Sequence, residues 1–134
     1  MKHRILIVED NPLIAIDLQE TIHELGYPTS GIAHDFDSAR RLAPHSDFAL
    51  VDVNLSDGET GPRIGRYLSD EFGIAVVMVT GNPEAVQSGI SGIVGVVSKP
   101  VTPIIIQMLL EFLHGRRNGS LGPPPPALRL FAPN

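Results

Sequence analysis

Short aliphatic runs, each cut off by polar or turn-forming residues, are what most limits the folds open to this chain. Ile5-Leu6-Ile7-Val8 stops at Glu9-Asp10, and Phe48-Ala49-Leu50-Val51 stops at Asp52. Residues 74–79 stop at Thr80-Gly81, and residues 93–97 stop at Ser98-Lys99-Pro100. A weaker run spans residues 28–33, where Pro28 suits a strand start or a sheet edge. The strong runs are continuous rather than alternating, as in strands buried on both faces. Between them lie helical patterns. Asn11-Pro12 opens one, in which Ile14, Leu18, Ile22 and Leu25 recur and Gly26 stops it. Asp35 caps a second through Leu42, and residues 62–72 form a third that ends at Gly73. Residues 84–87 allow at most a short fourth, and residues 103–114 form the last. Strand and helix alternate throughout, which predicts an α/β fold with a doubly wound parallel sheet. Right-handed crossovers then bring all the strand ends to one edge.

That edge collects Glu9, Asp10, Asp52, Thr80 and Lys99. Ligands of open α/β sheets bind outside the carboxyl ends of the strands. Each residue has an ordinary structural explanation: acids favoured at a helix start, a turn aspartate, a surface lysine. Together they describe a site. Three converging carboxylates repel one another unless a cation sits among them. A hard divalent ion such as magnesium takes carboxylate oxygens and then a phosphate oxygen. Lys99 adds a fixed positive charge and Thr80 a hydroxyl. Asp52 is then placed as a carboxylate nucleophile that takes up a phosphoryl group.

The set Val8-Glu9-Asp10-Asn11, Asp52 with Asn54, Asp57-Gly58, Thr80-Gly81 and Lys99-Pro100 resembles the receiver domain of two-component response regulators. The resemblance covers about residues 3–114. It implies a flavodoxin-like sheet of five strands in the order 2-1-3-4-5. It implies phosphorylation of Asp52 by a histidine kinase or histidine phosphotransfer protein. Magnesium would be held by Glu9, Asp10, Asp52 and the backbone carbonyl of Asn54, while Thr80 and Lys99 would contact the phosphoryl group. The run from Asp52 to Gly58 with Thr80-Gly81 is similar to a receiver subgroup frequent in alphaproteobacteria.

Two departures stand out. Receivers usually carry Tyr or Phe three residues before the lysine, where this chain has Val96. The segment from Thr80 to Lys99 is about three residues short and holds Gly89, Gly92 and Gly95, which disfavour helix. Helix four is therefore expected to be short or irregular, and any signal would travel by ordering of the loop from Gly81 to Gly92.

In the last helix, Ile104, Ile105, Ile106, Met108, Leu109, Leu110, Phe112 and Leu113 cover an arc of roughly 240° at ~100° per residue. That exceeds the ~100° stripe a surface helix needs. The excess predicts either a homodimer through Ile104, Ile105, Met108 and Phe112, or cover from Leu128, Leu130 and Phe131 of the tail. The division read from composition is a receiver over residues 1–116 and a tail over 117–134, disordered because of Pro123-Pro124-Pro125-Pro126.

The remaining features mainly exclude. Of 134 residues, 43% are hydrophobic, so one domain with a core is expected. A net charge of −5 argues against a nucleic-acid partner. With no cysteine there is no disulfide and no thiolate chemistry. No apolar run approaches the ~18 residues of a membrane span, so a cytoplasmic protein is expected. His3, His23, His34, His45 and His114 show no metal-ligand spacing, and no glycine-rich phosphate loop is present. The leading expectation is a stand-alone response regulator, not a conventional enzyme, that signals to an output protein by contact. One alternative is an interaction module of the same fold without phosphorylation. A haloacid-dehalogenase-like phosphatase would want a second Asp where Asn54 stands.

Overall fold

The computed structural model describes residues 3–55, 58–120 and 122–131. Its elements alternate as the aliphatic runs require: β1 (Ile5–Val8), α1 (Pro12–Glu24), β2 (Thr29–Ala33), α2 (Phe36–Leu42), β3 (Phe48–Asp52), α3 (Gly61–Phe72), β4 (Ala75–Thr80), β5 (Gly95–Ser98) and α4 (Pro103–Arg117). A final strand, β6 (Leu128–Leu130), follows. The sheet order is β2-β1-β3-β4-β5-β6. The first five strands pair in parallel, and β6 joins β5 antiparallel.

The continuous strands are buried on both faces because each face has its own helix pair. Leu6, Val8, Val51, Val76 and Met78 pack against Ala39 of α2 and Ile64 and Leu68 of α3. Ile5, Ile7, Leu50, Val77 and Val79 pack against Ala15 and Ile22 of α1 and Ile106, Leu109, Leu110 and Leu113 of α4. Full burial of each such aliphatic side chain is worth about 1.5–3 kcal/mol, which is why these runs rather than the loops set the topology.

Two expectations change, and that of a short or irregular fourth helix holds. In α1 the buried positions are Ala15 and Ile22, while Ile14 is 42% exposed. The inward stripe is phased on the small Ala15, whose low hydrophobicity hid it beside Ile14. No α-helix joins β4 to β5 among the described residues. A single 3₁₀ turn (Pro83–Val86) stands there, and Gly89 and Gly92 both take positive φ. Finally, the tail is not without structure: Leu128–Leu130 pair with Val97–Gly95. Leu128 enters the α4-side cluster, and Phe131 enters the opposite one beside Val86, Ile93 and Val96. Proline composition argued for an isolated extended segment; burial of these two side chains against the sheet edge outweighs it.

The tail does not cover the outer side of α4. Ile104 and Met108 stay 59% and 40% exposed, and Ile105 and Phe112 are half-buried. No helix among the described residues is long and apolar enough to cross a membrane.

Candidate functional site

The parallel register carries the site residues to one rim. Val8 lies beside Val51, Asp52 beside Val79, and Thr80 beside Ser98, so the chain turns away from the sheet at Glu9, Asp52, Thr80 and Lys99 together. A repeated local device holds three of them. Asn11 N donates to Glu9 Oε2 at 3.1 Å, Asn54 N donates to Asp52 Oδ1 at 3.1 Å, and Asn82 N donates to Thr80 Oγ1 at 3.0 Å. In each case an asparagine two positions on closes a side-chain turn. Asn11 also caps α1, accepting from Leu13 N at 3.0 Å and Ile14 N at 3.3 Å.

Lys99 ties the acids together. Its Nζ donates to Asp52 Oδ2 at 2.9 Å and to Glu9 Oε1 at 3.1 Å. Lys99 N donates to Thr80 O at 2.8 Å, which fixes the lysine against β4, and the Lys99–Pro100 peptide is cis. The pair is largely withdrawn from water: the side chains of Glu9 and Asp52 are 6% and 8% exposed, and that of Lys99 27%. Burial raises the Glu9 pKa above the usual carboxylate value. The Asn11 amide and Lys99 pull it back, and the Asp52 charge adds to the rise. Burial alone would lower Lys99. Its hydrogen bonds to Asp52 and Glu9 outweigh that and hold the ammonium above its ordinary value.

Glu9, Asp10 and Asp52 each offer an oxygen, and these oxygens lie within 4.8 Å of one another. One lysine does not balance three carboxylates, and the donors are all hard oxygens, so the set fits a small divalent cation. Thr80 is fully buried and its oxygen is engaged by Asn82 N, which ties it to the following loop. Thus five of the sequence-derived residues gather at the rim. Asn54 joins through its amide, and Ser56 and Asp57 lie outside the described residues. The sequence reading missed Gly61, where a Cβ would collide with Asp52 O and Val53 Cα. The missing signal was a glycine at a helix start directly after the Asp52 turn. A mostly apolar cavity of about 600 Å³ between α1 and α4, lined by Leu13, Ile14, Leu18, Ile106 and Leu109, opens onto Glu9, Asp52 and Lys99.

Residues 5–111 match the family model of the response regulator receiver domain. Over 92 residues, 66% of this chain, the sequence is 35% identical to the phyllosphere-induced regulator PhyR of Methylorubrum extorquens, of which it covers 34%. It is 32% identical over 87 residues, 64% of the chain, to the TorCAD operon transcriptional regulatory protein TorR of Escherichia coli, of which it covers 37%. The chain therefore spans about a third of the length of these curated relatives. Among solved structures, the response regulator PhyR from Brucella abortus superposes with a TM-score of 0.72 at 28% identity, over 87% of this chain and 51% of that one. The receiver domain of Erythrobacter litoralis PhyR superposes with a TM-score of 0.75 at 22% identity, over 92% and 96%, a likeness of fold alone.

Proposed function

We propose that this chain, which belongs to the response regulator receiver family, takes a phosphoryl group onto Asp52 from a phosphohistidine and signals through protein contact. Receivers are signalling modules rather than conventional enzymes, as expected from the sequence, and they act with histidine kinases and output partners. What carries the reading for this chain is Lys99 Nζ shared between the nearly buried Asp52 and Glu9 carboxylates at the rim of the sheet. An Asp52 oxygen forms a bond to phosphorus while the bond from phosphorus to the donor's imidazole nitrogen breaks. The imidazole leaves with the bonding pair, and Asp52 becomes an acyl phosphate.

The chain's own groups position and neutralise. Asn54 N keeps Asp52 Oδ1 oriented, and Lys99 has a third N–H free of the two acids for a phosphoryl oxygen. Thr80 Oγ1 accepts from Asn82 N, which leaves its O–H to donate to a phosphoryl oxygen, and a turn of the side chain toward that oxygen would draw Oγ1 away from Asn82 N. Glu9, Asp10, Asp52 and the Asn54 carbonyl would hold a magnesium ion, which supplies charge neutralisation at the phosphoryl oxygens. The rival, an interaction module without phosphorylation, draws on Val96, which is aliphatic and 2% exposed where receivers usually carry an aromatic.

Incubation with phosphoramidate and magnesium, followed by intact mass measurement, tests the proposal. The expected result is a gain of one phosphoryl group that is absent in Asp52→Asn. An unmodified parent chain under conditions that modify another receiver overturns it.

A further inference from the structure

The edge of β5 is shaped to receive a strand. Gly95 allows β6 to approach so closely that a Cβ there would collide with Arg129 O. Gly89, at φ +83°, lies with its Cβ position 3.5 Å from the Phe131 ring. Phe131 N donates to Val94 O at 3.0 Å, extending the pairing past β6. Phe131 itself fills the space beside Val86, Ile93 and Val96.

The same segment grips the loop that follows Thr80. Arg129 donates through Nη1 to Gln87 O at 3.1 Å and through Nη2 to Val86 O at 3.3 Å, and it lies over the Phe131 ring. Those carbonyls end the 3₁₀ turn that begins after Asn82. At its other end, Asn82 N is held by Thr80 Oγ1, and Ala85 N donates to Asn82 O. Thr80 and Arg129 therefore clamp opposite ends of one short turn. The linker before β6 holds Gly119, Gly122 and Pro123–Pro126, which let the segment leave without unwinding α4.

We infer that the β5 edge is a strand-docking site, occupied at rest by this chain's own segment 127–131, and freed for a partner strand when Thr80 turns towards a phosphoryl group. The inference rests on the phosphoryl-acceptor reading of Asp52. The partner strand is extended, antiparallel to β5, and carries apolar side chains where Leu128 and Phe131 now sit. Main-chain hydrogen bonds would supply affinity and the two apolar sites selectivity. Phe131 in this scheme is the aromatic reporter that Val96 is not.

The test uses the full chain and a fluorescent peptide of its own sequence 122–131 carrying Arg129→Ala, which cannot make the contacts to Val86 O and Gln87 O and so reads only how freely the resident strand leaves. Anisotropy is read before and after phosphoramidate and magnesium, with intact mass recorded on the same samples. Binding at least about tenfold tighter in the phosphorylated chain is expected. Arg129→Ala, a surface change, should raise peptide affinity several-fold without phosphate, since it loosens only the resident strand. A phosphoryl mass gain with unchanged or undetectable peptide binding overturns the docking inference alone. No mass gain overturns both readings. Equal peptide binding to the parent and Arg129→Ala chains removes the clamp.

Discussion

Replacing Lys99 by Met isolates the electrostatics of the rim. The substitution keeps the apolar stem and removes the charge that Asp52 Oδ2 and Glu9 Oε1 share. The acids then face each other uncompensated. For two carboxylate oxygens within 4.8 Å, Coulomb repulsion at an effective dielectric near 20 is about 3.5 kcal/mol. Lys99 is 27% exposed, so water reaches the vacated position and screens part of this. A net loss near 2 kcal/mol follows, below the 3–5 kcal/mol typical of breaking a fully buried pair. With an m-value of about 2 kcal/mol/M, urea unfolding in chelator should show a midpoint about 1 M lower. Excess magnesium should recover more stability in the variant than in the parent, because nothing now competes for the acids. The cycle with Asp52→Asn completes the test: the double variant should regain much of the loss, with a coupling above about 1 kcal/mol. A midpoint within about 0.2 M of the parent, or additive single effects, would refute the account.

Further consequences can be measured independently. Gly61→Ala forces a Cβ onto the Asp52 carbonyl. It should cost about 1–3 kcal/mol in urea unfolding and slow phosphoryl uptake, because the Asp52 turn must shift; an unchanged rate would show that the close approach is incidental. At the opposite end of the sheet, His3 Nδ1 meets His114 Nδ1 at 2.8 Å, a bond that needs one neutral ring. Burial lowers the His3 pKa; the Asp47 charge opposes this, and His114 and Arg117 add to the lowering. A lowered folded value means the unfolded chain binds the proton first. Stability should therefore be complete above the ordinary histidine pKa of about 6.5 and fall as pH drops from there through the folded value. His3→Asn, which removes the titrating ring, should flatten this dependence in thermal unfolding followed across pH, and a slope that persists would place its origin elsewhere.

How much of this was legible differs from residue to residue, and the reasons are physical. Asp52 could be found because an aliphatic run that is buried on both faces must end abruptly, and the first polar residue after it marks the rim. Glu9 and Thr80 follow from the same rule, while Lys99 stands one position beyond Ser98, the polar residue that ends β5. The phase of α1 could not be read, because Ala15 and Ile14 compete for the same stripe and only the neighbouring α4 decides between them. Ile14 instead borders the cavity beside the acids. Asn11 was visible as a helix cap and Asn54 as part of the Asp52 motif, but Asn82 was not singled out, and the common role of the three emerges only when each amide is seen to close on the residue two before it. β6 was hidden for a different reason. Pairing with β5 is a contact over more than thirty positions in sequence, and four prolines give a local signal that points away from the sheet.

The shortened passage from β4 to β5 and the ordered tail are two sides of one arrangement. Without a helix after Thr80, β5 would be a bare edge with Val86, Ile93 and Val96 uncovered beside it, an open invitation to wrong pairing. The glycines that prevent that helix are also the ones the tail needs: Gly95 admits the β6 backbone and Gly89 faces Phe131. Gly95→Val should therefore separate strand propensity from docking. Valine favours the strand state of β5 itself, yet its side chain occupies the place of Arg129 O. β6 should be expelled and the burial of Leu128 and Phe131 lost. Each is worth about 1.5–3 kcal/mol gross, and about half of this is returned as chain entropy of the freed segment. A net loss near 2 kcal/mol is expected, together with fast amide exchange at Leu128 and Phe131 and unchanged exchange in β1 and β3. If those two amides stay protected in Gly95→Val, the close approach at Gly95 does not govern docking, and the link between the missing helix and the sixth strand is broken.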